Sequence, residues 1–135
     1  PGTAWRNAAL EQQARGARLE TARAGGTLRL AGFELEFPVA AAGLAVRAVG
    51  PGGHALCAFG DLDLDAQAQA AARLRGPCEY LVLPGGGRSV PAPALLTRAR
   101  PQLVIASIAG GQTARGLPAG KLRRTDQEGT LQLPM

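Results

Sequence analysis

The sequence is poor in the side chains from which metal centres and disulfide frameworks are built. It has one histidine, His54, and two cysteines, Cys57 and Cys78, in 135 residues. Structural zinc sites need clustered ligands at short spacing, and disulfide-stabilised domains need several cysteines. Neither pattern is present, so we expect both cysteines to be buried free thiols and expect no bound metal.

Aromatic side chains are equally scarce. The five present are Trp5, Phe33, Phe37, Phe59 and Tyr80. A core must therefore be built from Leu, Val and Ala, which bury less area per side chain and give modest stability. The length and the 46% apolar content suit one domain, or a piece of one. No repeat or long linker divides the chain, so residues 1–135 are predicted to form a single, partial domain.

Long apolar runs and a signal-peptide pattern are also missing. No stretch approaches the roughly 18 to 20 apolar residues of a membrane span, so we expect a soluble segment without membrane insertion. The net charge of +5 favours acidic partners such as nucleic acid or an anionic surface. Lys121 is the only lysine, and an arginine-rich composition also fits a GC-rich genome without any functional meaning.

Periodicity predicts an α/β fold. Good helix formers fill residues 4–14, and alternating patterns predict two hairpins, over residues 27–37 and 44–59. Asp65 can cap a helix over 66–75, and residues 80–83 form an apolar strand, which together predict a βαβ unit with parallel strands. The remaining predicted elements are a helix over 92–99, a strand over 103–108, and a closing pair, 121–125 and 130–133, around a turn at 126–129.

A series of motifs follows the apolar strand. They are Pro84-Gly85-Gly86-Gly87-Arg88-Ser89, a proline-started helix from Pro91, Arg100-Pro101 before an apolar strand, Gly116-Leu117-Pro118, and Arg124-Thr125-Asp126 ending in Gly129-Thr130. This order resembles the C-terminal part of the metallo-β-lactamase-like domain in the ComEC family of DNA-uptake proteins. The resemblance implies the second half of an αββα sandwich, with a mixed sheet and helices on its outer face.

The resemblance extends upstream with lower specificity, through residues 10–18, 26–37 and 44–59 to Gly60-Asp61. It covers almost the whole chain but only half of such a domain. The first half carries a His-x-His-x-Asp-His loop, which this sequence lacks.

The resemblance also implies a metal site whose ligands are lost. Gly85, Gly86 and Leu117 stand where the family has histidines, and the family uses zinc or manganese. The Gly-Asp aspartate, Asp61, would be a vestigial metal-bridging residue. One carboxylate cannot hold a catalytic metal, since zinc usually needs three protein ligands. The alternative is that Asp61 caps the following turn or helix.

Basic and glycine-rich segments offer an anion site instead. The glycines of residues 84–89, with Arg88 and Ser89, could form a phosphate-binding nest, or could be a decayed metal loop. Arg115, Lys121, Arg123 and Arg124 could contact DNA phosphates, or could be a solvated charged face. Aromatics for base stacking are absent from this run.

The expected function is therefore that of a degenerate, non-hydrolytic domain of a DNA-uptake protein, structural or DNA-guiding. Its partners would be DNA and the N-terminal half of the domain or the parent channel. The location implied by the resemblance is the extracytoplasmic face of the bacterial inner membrane. Two alternatives stay open: a metal-dependent phosphodiesterase or nuclease completed by a missing N-terminal half, and a stand-alone, non-catalytic binding module.

Overall fold

The computed structural model describes residues 2–18, 21–39, 43–109, 111, 113–117 and 119–135. These residues form a seven-stranded sheet and four α-helices. The strands are β1 Thr27–Leu30, β2 Phe33–Val39, β3 Ala45–Val49, β4 Ala55–Ala58, β5 Tyr80–Val82, β6 Leu103–Ala106 and β7 Leu122–Arg124. The helices are α1 Gly2–Ala14, α2 Leu64–Arg73, α3 Pro93–Ala99 and α4 Thr125–Glu128. Short 3-10 turns cover Pro84–Gly87 and Ala119–Lys121.

The sheet is mixed, and its strands follow one another in chain order. Strands β1 to β4 pair antiparallel, whereas β4 to β7 pair parallel. Parallel neighbours need crossover connections, and α2 and α3 supply two of them. The predicted α/β class, the two hairpins and the parallel βαβ unit are confirmed.

The core lies on one face of the sheet, beneath α2 and α3. Cys57, Leu81 and Val104 occupy one register row on β4, β5 and β6, and all three are fully buried. Small residues of α2, such as Ala70, and Leu95 of α3 complete the same cluster. Alanines on α2 let the helix approach closely, which suits a core with few aromatics.

The other face of the sheet is also apolar, but neither α2 nor α3 covers it. Side chains alternate between the two faces along a strand, so the residues between those of the core point the opposite way. We call the part of this surface on β3 to β6 the open face; it comprises Val46, Ala48, Leu56, Ala58, Tyr80, Val82, Leu103 and Ile105. Most of these side chains are half-buried. Helix α1 does not cover the open face extensively, since its side chains from Arg6 onward are exposed apart from Ala9.

The predicted start of one helix and one predicted strand were wrong. Helix α2 begins at Leu64, and its cap is Asp63, whose carboxylate accepts a 2.8 Å hydrogen bond from the Ala66 backbone N–H. Asp65 lies instead in the first turn of α2, where its negative charge interacts favourably with the helix dipole. Residues 130–133 are not a strand, because the chain turns into α4 after β7 instead of forming a hairpin with it.

The prediction of free thiols was also wrong. Cys57 and Cys78 form a disulfide, with Cα atoms 5.7 Å apart. Both residues are fully buried, as expected. The parallel pairing of β4 with β5 brings the two positions together across a separation of 21 residues, a proximity that their spacing in the sequence does not reveal.

Candidate functional site

The loops that bear the predicted site residues meet at one edge of the sheet. Parallel strands end at the same edge, and β4, β5 and β6 are followed there by Gly60-Asp61, the 84–89 loop and Ser107. The Gly85 backbone N–H donates a 2.9 Å hydrogen bond to the Gly60 carbonyl. The structure therefore brings Asp61 and the 84–89 loop together.

The glycines of the 84–89 loop have different surroundings. Gly85 and Gly86 both adopt left-handed backbone conformations, with φ of +56° and +66°. A Cβ on Gly85 would have no neighbour within 4 Å, whereas one on Gly86 would lie 2.7 Å from the Ile108 Cγ2 and 2.9 Å from the Ser107 carbonyl oxygen. Position 86 thus has no room for a histidine without movement of the end of β6.

Two backbone N–H groups of the 84–89 loop are engaged within the chain. The Gly85 N–H donates to the Gly60 carbonyl, and the Arg88 N–H donates to the Gly85 carbonyl at 3.4 Å. Because a nest binds an anion through free backbone N–H groups, these two groups would not take part in one.

Asp61 is exposed and accepts no hydrogen bond from any residue that the structure describes. It is not the cap of α2, because Asp63 has that role. Across the described ranges, no three His, Cys, Asp or Glu side chains lie close enough together to hold a metal ion. His54 lies in the β3–β4 turn at the opposite edge of the sheet, with its ring 6.2 Å from that of Tyr80.

Leu117, the third position at which the resemblance expects a histidine, is a core residue. It is 9% exposed and belongs to the core cluster, with Leu96 and Leu122 packed around that cluster. The side chain at this position is therefore an apolar core residue here, whereas Gly85 and Gly86 lie beside the Asp61 loop.

Most of the basic run is already engaged within the chain. Lys121 Nζ donates to the Pro101 carbonyl at 3.0 Å, and Arg123 pairs with Glu128. Arg124 makes two hydrogen bonds to Asp126, at 3.0 and 2.7 Å, and a third to the Gly111 carbonyl. Its hydrogen bond lowers the pKa of Asp126, and the Arg123 hydrogen bond lowers that of Glu128. These charges offset one another.

Arg88 and Arg115 differ from that run. Both are exposed, and neither forms a hydrogen bond or ion pair with a residue in the described part of the chain. The Ala114 N–H donates a 2.8 Å hydrogen bond to the Gly87 carbonyl. Arg88 and Arg115, which follow these two residues, are therefore held on adjacent backbone segments. Ser89, also exposed, is next to them in the chain.

The Arg124-Thr125-Asp126 motif braces this edge of the sheet. Thr125 Oγ1 accepts a hydrogen bond from the Ile108 N–H at 3.0 Å and lies 3.1 Å from the Ile108 carbonyl, to which its hydroxyl donates. The motif thus ties the end of β7 to the end of β6. The sequence singled out these three residues, but it gave no indication that they bind one another and the neighbouring loop.

Buried polar contacts position the helices and were not predicted. The Gln67 side chain is 2% exposed; its amide donates to the Leu62 carbonyl at 2.7 Å and accepts from the Ala92 N–H at 2.9 Å. It joins the start of α2 to the segment before α3. A glutamine between alanines gives no sequence signal for such a role.

No known protein-family model, curated protein or solved structure matches this chain. Among the residues that the structure describes, no helix combines the length and apolar character needed to cross a membrane.

Proposed function

We propose that this chain is the C-terminal half of a metallo-β-lactamase-like domain of the ComEC type, with helices on the outer face and the open face turned toward a second layer. Its open face supports this architecture, because an apolar sheet surface left without helices is what a sandwich half presents to its partner layer. The meeting of Asp61 with the 84–89 loop agrees with the motif order of that family.

Within that architecture we propose a non-hydrolytic role, structural or DNA-guiding, on the extracytoplasmic side of the inner membrane. The disulfide between Cys57 and Cys78 supports the location, because disulfides persist in oxidising compartments. Glycines at positions 85 and 86, and the core position of Leu117, support the loss of hydrolysis. The partners would be DNA and the N-terminal half of the domain or the parent channel.

The juxtaposition of Arg88 and Arg115 is the observation on which the DNA contact rests. Exposed guanidinium groups without acidic neighbours are free to contact phosphates, whereas Arg123 and Arg124 are held by Glu128 and Asp126. Such contacts position a nucleic-acid backbone without reading its sequence.

Salt-dependent binding of duplex DNA tests this role. Each phosphate contact contributes about 0.9 to the slope of log K against log salt concentration. We expect the double variant Arg88→Ala, Arg115→Ala to reduce that slope by about 1 to 2, measured by fluorescence anisotropy.

The matched control is Arg23→Ala, Arg29→Ala, which removes the same net charge at the first hairpin, three strands away from β5 and the 84–89 loop; Arg29 is paired there with Glu34. An equal loss in the control would mean that net charge alone drives binding, and absence of binding by the wild-type chain at low salt would end the proposal.

A further inference from the structure

The last seven residues of the chain, 129–135, connect opposite edges of the sheet. They follow α4, which begins directly after β7 at the carboxyl edge of the parallel strands. At the other end, the Gly52 N–H donates a 3.0 Å hydrogen bond to the backbone oxygen of Met135. Gly52 belongs to the β3–β4 turn, which lies at the amino edge of the parallel strands.

The reach of the chain decides the path between these points. From β7 to β4 there are three strand spacings, about 14 Å, and the two ends differ by roughly five residues of rise, about 17 Å. The direct diagonal is therefore about 22 Å, and seven extended residues reach about 23 Å. A path around the edge of the sheet would need about 31 Å, whereas the seven residues and the roughly 6 Å length of α4 together reach about 29 Å. The reach of the chain therefore favours a path across a face of the sheet.

Only one face is available to it. Helices α2 and α3 occupy the face that bears Cys57, Leu81 and Val104. We infer that residues 129–135 form a strap that lies across the open face and shields it in the absence of a second protein layer.

The exposure pattern of the strap agrees with this path. Leu131, Leu133 and Met135 are half-buried, whereas the residue that precedes each of them is exposed: Thr130, Gln132 and Pro134. This alternation is typical of an extended segment whose apolar side chains all point toward one surface. On the open face itself, Tyr80 and Ile105 are 9% and 5% exposed although they lie outside the core cluster under the helices.

The β3–β4 turn is shaped to receive the end of the strap. A Cβ on Gly50 would lie 2.6 Å from the Met135 carbonyl carbon, and one on Gly52 would lie 2.6 Å from the Met135 oxygen. Neither glycine has a left-handed backbone conformation. Their lack of side chains is explained by the close approach of Met135 and not by backbone strain.

Amide hydrogen exchange at residue 52 tests the strap in the intact chain, because this N–H donates to the Met135 oxygen. We expect exchange at least tenfold slower than in a free peptide of the turn sequence, and we expect Gly52→Ala to restore the free-peptide rate. The control is Gly120→Ala, where a Cβ would meet nothing within 4 Å and the backbone is not left-handed. Free-peptide rates in the wild-type chain, or no response to Gly52→Ala, would overturn the inference.

The shielding role has its own readout. Leu133→Asp places a charge on the apolar side of the strap, whereas Gln132→Asp places the same charge on its exposed side. We expect the first variant to raise the fluorescence of a bound hydrophobic dye several-fold and to promote self-association, and the second to change neither. Equal responses of the two variants would mean that the strap does not shield the face.

Discussion

The Glu36 carboxylate lies 3.0 Å from the Arg47 guanidinium across the β2–β3 pair, and the two side chains are only 8% and 12% exposed. Arg47 also donates to the Pro77 carbonyl at 3.1 Å. One Glu36 oxygen, Oε2, is buried without a partner among the described residues. This ion pair lies in the same register row as Cys57, so it belongs to the face of the sheet that α2 and α3 cover. At these two positions that face carries charged side chains and not apolar ones.

Breaking this pair on one side should be costly. Arg47→Met leaves the Glu36 charge buried without its partner, and we expect a loss of about 3 kcal/mol in the free energy of unfolding. The double variant Glu36→Leu, Arg47→Met should recover most of that loss, since replacing both charges removes the desolvation penalty. Urea unfolding of the single and double variants checks this; additive losses would show that the pair is not coupled.

The disulfide should be a main source of stability in a core with few aromatics. Replacing both cysteines by alanine removes a crosslink over 21 residues, and we expect a loss of about 3 kcal/mol and a fall of about 10 °C in Tm. Thermal unfolding followed by circular dichroism measures it. Thiol titration of the unfolded wild-type chain should give no free thiol, and two thiols per chain would contradict the crosslink.

Gly85 and Gly86 should differ in their tolerance of a side chain. Gly85→Ala introduces only a left-handed alanine, which costs about 1 to 2 kcal/mol. Gly86→Ala adds the collision with Ile108 and the Ser107 carbonyl, and we expect a further loss of about 1 to 3 kcal/mol. Chemical denaturation of the two variants tests this difference. Equal losses in the free energy of unfolding would mean that the end of β6 moves aside at no energetic cost.

Metal retention distinguishes the non-hydrolytic proposal from its enzymatic alternative. After incubation with Zn²⁺ or Mn²⁺ and buffer exchange, we expect no stoichiometric metal by mass spectrometry, because no three possible ligand side chains of the described residues lie close enough together to hold an ion. The Asp61→Ala variant is the control. Metal bound by the wild-type chain and lost from this variant would favour the phosphodiesterase.

Much of the fold follows from local pattern. Hydrophobic alternation predicted both hairpins, and the apolar strand at residues 80–83 after a helix predicted the parallel unit, because a buried strand with a crossover helix has few other solutions. The α2 cap was misplaced by two residues because Asp63 and Asp65 are both good capping residues.

The sequence pattern was therefore sufficient for the class of the fold, for the mixed sheet and for the absence of histidine from the 84–89 loop. The three-dimensional structure was needed to show that Cys57 reaches Cys78, that Arg123 and Arg124 are neutralised while Arg88 and Arg115 are not, and that residues 129–135 return to the β3–β4 turn. Local propensity acts over neighbouring residues, whereas these contacts join positions that are distant along the chain and depend on strand register and on how far the backbone can reach.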